Sequence, residues 1–192
     1  MKLNLPNKLT VLRCLLVPLF LVALLFPADT VTACLCAAAL FGAASLTDFF
    51  DGKIARKYNY ITDFGKFLDP LADKLMVFGA LLGILCRFDG IRPYFVWVAF
   101  IVMTRELAVT SLRLIAAGAS GKVIAAKMIG KIKTVTQIVA ILILLLEPCA
   151  MAWFGYTLPV CSYLAMLAMT VMTVVSGVDY FKSYWEFIDP SK

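Results

Sequence analysis

Six apolar runs dominate this chain: Leu9–Phe26, Val31–Arg56, Asp69–Cys86, Pro93–Ala117, Lys131–Leu146 and Phe154–Tyr180. Helices of about 18 residues or more can cross the hydrocarbon core of a bilayer. The fifth run is the shortest and reaches that length only with its charged start. A mean hydropathy of +0.93 excludes an ordinary soluble domain. Joining segments are short, which leaves no room for a separate soluble unit. The expectation is an all-α integral membrane protein, residues 1–192 forming one domain of six transmembrane helices. Lys2 and Lys8 precede the first run as they would in a signal peptide. Pro27-Ala28-Asp29 is a poor cleavage site, however, so the run is expected to stay as a mature helix.

Charge sets the orientation. With the first helix starting in the cytosol, sixteen of the eighteen Lys and Arg residues lie in or toward inner regions, and only Arg87 and Arg92 fall outside. Positive residues inside imply that both termini are cytosolic. The net charge of +6 favours membrane lipids with anionic head groups and anionic substrates. No nucleic-acid partner is expected. The six cysteines, Cys14, Cys34, Cys36, Cys86, Cys149 and Cys161, are scattered without a CxxC pair, and the chain has no histidine. A zinc site or disulfide framework is therefore not expected. Acid–base chemistry must use carboxylates, Lys, Tyr or Cys.

Against this apolar background, five of the twelve acids fall between Ser45 and Lys74: Asp48, Asp51, Asp63, Asp69 and Asp73. At 1.5 Å per residue from Val31, Asp48 lies roughly 25 Å along the second helix, near the cytosolic edge of the core. Asp69 and Asp73 begin the third helix on the same side and share a face at i and i+4. At about 100° per residue, Asp48, Gly52 and Ala55 form a stripe flanked by Asp51 and Arg56. Four carboxylates can thus converge on one seam that also holds two small residues. Unneutralised, they would repel strongly. Oxygen-only ligands suit two divalent cations, Mg²⁺ or Mn²⁺, forming a clamp for phosphoryl chemistry, with Arg56 complementing a phosphate. The plainer alternative makes Asp69 an N-cap before Pro70 at the first helical position. Asp63 is read as a solvated loop residue.

The same residues carry a family resemblance. Asp48, Asp51, Gly52, Ala55, Arg56, Gly65, Asp69 and Asp73 match the pattern D-x2-D-G-x2-A-R-x8-G-x3-D-x3-D. That pattern resembles the signature of the CDP-alcohol phosphotransferases, and the six-helix layout is similar along the whole chain. The resemblance implies transfer of a phosphatidyl or similar group from a CDP-linked donor to an alcohol, with release of CMP. It implies that Asp48, Asp51, Asp69 and Asp73 bind two metal ions, with Asp73 also the general base. Gly52 and Ala55 would leave room for the cytidine, Arg56 would hold phosphate, and Gly65 would allow close approach near the nucleotide. Dimerisation is common in that family, so a homodimer is an option here.

Weaker stretches bear on the acceptor. "NLPNKLTVLRCLLVP" resembles the start of bacterial phosphatidylglycerophosphate synthases, which implies that Asn7 and Thr10 help seat the nucleotide. "TRELAVTSLR" and "GKIKTVTQ" are similar to the fourth and fifth helices of that subgroup. They imply CDP-diacylglycerol as donor, sn-glycerol 3-phosphate as acceptor and a bacterial inner membrane. Arg105 and Glu106 lie well inside the fourth helix, where unpaired charge is expensive, so they should face a polar cavity or each other's partners. Arg105, Arg113, Lys131 and Lys133 are the candidates for holding the acceptor's phosphate in a cytosol-facing polar cavity. Rival readings keep the donor and change the acceptor to serine, inositol phosphate or phosphatidylglycerol. An intramembrane prenyltransferase would need more helices. A cation or proton transporter would be expected to carry acids nearer the midplane in repeated halves, and no repeat is seen.

Overall fold

The computed structural model describes the backbone of residues 5–58, 63–120 and 128–188. Within those stretches the side chains of residues 5, 6, 48–58, 63, 64, 66, 67, 117–120 and 186–188 lie outside the description. Among the described residues six helices form in chain order: α1 Leu5–Leu25, α2 Thr30–Tyr58, α3 Asp63–Arg87, α4 Arg92–Ser120, α5 Met128–Phe154 and α6 Val160–Ile188. An all-helical chain is what lipid demands, because each helix satisfies its own backbone hydrogen bonds.

The helices overrun several of the expected apolar runs, α1 starting at Leu5 and α6 ending at Ile188, and the boundaries that bear on the site differ at α3, α5 and α6. The third helix starts at Asp63, not Asp69, so Pro70 lies inside it and the N-cap alternative for Asp69 fails. Asp63 opens a helix and is not a loop residue. The fifth helix runs on to Phe154, and the sixth starts at Val160 instead of Phe154. The reason lies in Glu147, a buried acid that ended the apolar run by hydropathy alone. Its carboxylate accepts the backbone N–H groups of Cys161 at 2.8 Å and Ser162 at 2.5 Å, capping α6 from a neighbouring helix. Gly155, with φ 73°, turns the chain between the two helices. At α2, Asp29 accepts the Thr32 backbone N–H at 2.8 Å as an N-cap. Hydrogen bonds from Thr32 hold that exposed carboxyl below its usual range.

Among the described residues, five helical stretches are long and apolar enough to cross a membrane: Asn7–Leu25, Thr30–Thr47, Arg92–Ala116, Met128–Phe154 and Val160–Trp185. Helix α3 is not among them. Its amino-terminal turns carry Asp69, Asp73 and Lys74, leaving Leu75–Cys86 as its uninterrupted apolar stretch. That length is short of a full crossing.

Side-chain pairings give the topology. Residues 10, 13, 17 and 24 of α1 meet residues 69, 73, 79 and 83 of α3 in increasing order, so these helices run parallel. Phe20 packs on Phe41, and α2 runs antiparallel to α1. Tyr94 meets Tyr163 and Arg105 meets Tyr180, so α4 and α6 are parallel, with α5 antiparallel to α6. One end of the bundle therefore gathers the starts of α1, α3 and α5 with the ends of α2, α4 and α6. A continuous core of Phe20, Leu24, Phe41, Leu81, Ile84, Phe95, Ile141, Leu144 and Met169 joins all six helices.

Gly79 and Gly83 make the parallel α1–α3 contact tight. A Cβ at Gly79 would lie 2.6 Å from Val17 Cγ1, and one at Gly83 would lie 2.9 Å from Leu24 Cδ2. This is small-xxx-small packing, which lets two helices approach closely in lipid. Gly79→Leu is expected to force α1 away from α3 and to destabilise the protein by about 1–3 kcal/mol. The thermal midpoint in detergent or nanodiscs checks this, and an unchanged midpoint would contradict the tight contact.

Candidate active site

The close α1–α3 contact brings polar side chains of α1 onto the aspartates of α3. Asn7, Thr10 and Arg13 are spaced three apart on α1 and are all buried. Thr10 Oγ1 donates to Asp69 Oδ1 at 2.6 Å. Arg13 Nη1 donates to Asp73 Oδ1 at 2.8 Å, with Arg13 only 1% exposed and Asp73 53% exposed. Each carboxylate is thus gripped from the protein side and presented to the open side. Asp69 and Asp73 stand one turn apart on the same face, as the i, i+4 spacing implied.

Asp48, Asp51, Gly52, Ala55 and Arg56 fall on the last three turns of α2, and their side chains lie outside the described residues. Gly65 is buried in the first turn of α3. Among the described residues no group of three or more His, Cys, Asp or Glu side chains comes together. Asp69 and Asp73 supply only hard oxygen donors on exposed side chains, so what is described of the set fits Mg²⁺ or Mn²⁺.

Beside Asp73 a cavity of about 270 Å³ opens between α3, α4, α5 and α6. It brings together Arg105, Arg113, Lys131 and Lys133, the four cations expected at an acceptor site, and adds Lys74. Five cations face two carboxylates, Asp73 and Glu106. Arg113 and Lys131 are exposed, whereas Lys133 is 3% exposed and donates to both Glu106 Oε1 and Gln137 Oε1. Arg105 Nη1 donates to the same Glu106 oxygen at 3.2 Å, and its guanidinium lies 5.4 Å over the Tyr180 ring. Tyr180 stacks on Tyr184 and closes against Gly130, where a Cβ would sit 2.9 Å from the Tyr180 hydroxyl.

Four site residues were missed by the sequence reading: Arg13, Lys74, Gln137 and Tyr180. Arg13 had a usable signal, being a charge inside an apolar run three residues beyond Thr10. Gln137 sat unassigned at the end of "GKIKTVTQ". Tyr180 had none, because an aromatic in a membrane helix reads as packing.

The family model described as CDP-alcohol phosphatidyltransferase matches residues 3–180. The chain belongs to the CDP-alcohol phosphatidyltransferase family. A Bacillus subtilis (strain 168) relative, named CDP-diacylglycerol–glycerol-3-phosphate 3-phosphatidyltransferase, is 45% identical over 98% of both chains. A Mycobacterium tuberculosis protein named probable phosphatidylglycerophosphate synthase is 42% identical over 92% of this chain and 79% of its own. A Rickettsia felis protein with the same name as the Bacillus relative is 34% identical over 94% of each. The matched residues 3–180 include the aspartates of α2 and α3 and the cations of α4 and α5.

Arg13→Met is expected to leave this family member folded while lowering kcat about 10- to 100-fold, because Asp73 would lose the contact that fixes its position. Steady-state kinetics beside a thermal melt check this. Normal turnover would show that the Arg13–Asp73 contact positions nothing.

Proposed function

We propose that this chain transfers the phosphatidyl group of CDP-diacylglycerol to sn-glycerol 3-phosphate, giving phosphatidylglycerol phosphate and CMP. The cation-lined cavity beside Asp73 carries the reading, in a family member whose relatives bear that activity in their names. A phosphomonoester brings charge that five cations can hold, whereas serine would have less need of them. The protein acts as one membrane domain, residues 1–192. Its six helices cross a bacterial inner membrane, α3 completing its crossing with its charged turns in the cavity. Both termini and the cavity face the cytosol, as the positive residues favour.

The donor would lie with its tails in the bilayer and its diphosphate beside Asp48, Asp51, Asp69 and Asp73. Those aspartates would hold two divalent cations, which when bound would neutralise charge on the diphosphate and on the leaving CMP. Asn7, Thr10, Arg56 and Gly65 border the nucleotide, with Gly52 and Ala55 leaving it room. The Thr10 hydroxyl on Asp69 supports a place beside the diphosphate. Arg105, Arg113, Lys131 and Lys133 hold the acceptor's phosphate, arginine by a bidentate fork and lysine as a point charge. Asp73 then takes the proton from the acceptor's terminal hydroxyl as its oxygen attacks the phosphorus nearer the diacylglycerol. Arg13 keeps the Asp73 carboxylate in place throughout.

The test follows CMP release from CDP-diacylglycerol by purified protein in lipid, with each acceptor offered alone. Release is expected with sn-glycerol 3-phosphate and Mg²⁺ or Mn²⁺, and none with chelator. Release only with serine, inositol phosphate or phosphatidylglycerol would keep the donor and overturn the roles of Arg113, Lys131 and Lys133. Asp73→Asn should lower turnover about 10²- to 10⁴-fold while sparing donor binding. Substantial retained activity would remove Asp73 as the base.

A further inference from the structure

Phosphate binding leaves part of the cavity unused. Lys133 holds Gln137 and Glu106 side by side, one through Gln137 Oε1 and the other through Glu106 Oε1. An ammonium has no acceptor capacity, so the amide oxygen must face Lys133 and the amide nitrogen must point away from it. That nitrogen, Gln137 Nε2, is buried just behind the cavity that the Gln137 side chain helps line, and it has no hydrogen-bond partner among the described residues. Burying an amide donor without a partner is costly, and native interiors seldom tolerate it. Among the described residues, Arg105 and Lys133 both donate to Glu106 Oε1, and Glu106 itself lines the cavity, so its second oxygen can accept from a ligand there. A donor and an acceptor thus stand next to each other beside the cations. That pair is the complement of a hydroxyl group, which both accepts and donates.

We propose that Glu106 and Gln137 read the middle hydroxyl of the acceptor, Gln137 Nε2 donating to its oxygen and Glu106 Oε2 accepting its hydrogen. The inference rests on the acceptor being a glycerol phosphate. The phosphate alone fixes one end of a flexible three-carbon chain and leaves the other free to swing. A second anchor at the middle carbon turns the terminal hydroxyl toward Asp73 and prevents the middle one from reacting. Glu106 and Gln137 are therefore specificity residues, and the charge of Glu106 is used twice: it steadies Arg105 and Lys133, and it selects a polyol phosphate over an acceptor lacking the middle hydroxyl.

The experiment compares kcat/KM for sn-glycerol 3-phosphate and for 3-hydroxypropyl phosphate, the same molecule without its middle hydroxyl. The wild-type protein should prefer the first by about 10- to 100-fold, since a site built to bond a hydroxyl rejects an analogue that leaves it unpaired. Gln137→Met, similar in length but without the donor, should cut kcat/KM for glycerol 3-phosphate about tenfold more than for the analogue. Glu106→Gln, which keeps an oxygen for Lys133, is the second variant and should narrow the preference in the same way. A wild-type preference below about threefold overturns the inference. So does an equal loss on both acceptors in the variants, which is what a merely structural role predicts. If the wild-type protein uses neither phosphate but releases CMP with another acceptor, the acceptor reading falls and takes this inference with it.

Discussion

The contact between Arg13 and Asp73 governs the rest of the site. A guanidinium 1% exposed inside a membrane bundle is tolerable only with compensating partners, because desolvating an ion costs several kcal/mol even after relaxation. Asp73 is half in solvent, so the attraction is screened and adds little net stability. The pair is asymmetric as a result. Replacing Arg13 leaves a carboxylate that water can still reach, whereas replacing Asp73 with an apolar residue takes an anion from a buried cation. Asparagine at position 73 keeps an oxygen for Arg13, which makes it the cleaner probe of chemistry. What the pair provides is a fixed place for one carboxylate at the mouth of the cavity.

That place depends in turn on packing far from any charge. Arg13 reaches Asp73 only because α1 and α3 run parallel and close, and they run close because Gly79 and Gly83 leave space for Val17 and Leu24. Between helices in lipid there is little hydrophobic gain, so close packing and polar contacts hold them together. The α1–α3 seam uses both: glycines in its apolar half, and the Thr10 and Arg13 contacts to aspartates in its polar half. On the other side, Lys133, Glu106 and Arg105 link α5 to α4, and Tyr180 brings α6 beneath Arg105. Each polar network is carried by helices that also share the apolar core.

The sequence made the helices and the aspartate pair legible for distinct reasons. Long apolar runs have one outcome in lipid, and i, i+4 spacing places Asp69 and Asp73 on one face wherever the helix starts. It was less clear where α3 began, since Pro70 mimics a first-turn proline although the helix opens at Asp63. Glu147 misled for a similar reason. A buried acid interrupts hydropathy, and only the neighbouring α6 N–H groups that it caps explain why α5 continues past it. Gln137 and Tyr180 were invisible because their roles depend on which helices meet. Neither spacing nor composition tells that α6 passes beneath Arg105, or that Lys133 takes the Gln137 amide oxygen and leaves its nitrogen unpaired.

The division of the chain has a chemical consequence. Helices α1 to α3 carry the aspartates and their anchors, while α4 to α6 carry most of the cations and the hydroxyl-reading pair. Asp73 stands on the boundary, held by α1 and lining the cavity of the second group. A lipid-soluble donor and a water-soluble acceptor must meet with reacting atoms about 3–3.5 Å apart, and fixing two partners in that way can supply roughly 7–11 kcal/mol of the barrier. Flexible side chains could not hold such a register. Here each side is anchored on helices, with Arg13 fixing Asp73 on one side and Lys133 fixing Glu106 and Gln137 on the other. Changes that leave both substrates bound yet shift one group against the other should therefore appear in kcat before they appear in KM. Gly79 and Gly130, which set how closely α1 meets α3 and α5 meets Tyr180, are where such shifts would originate.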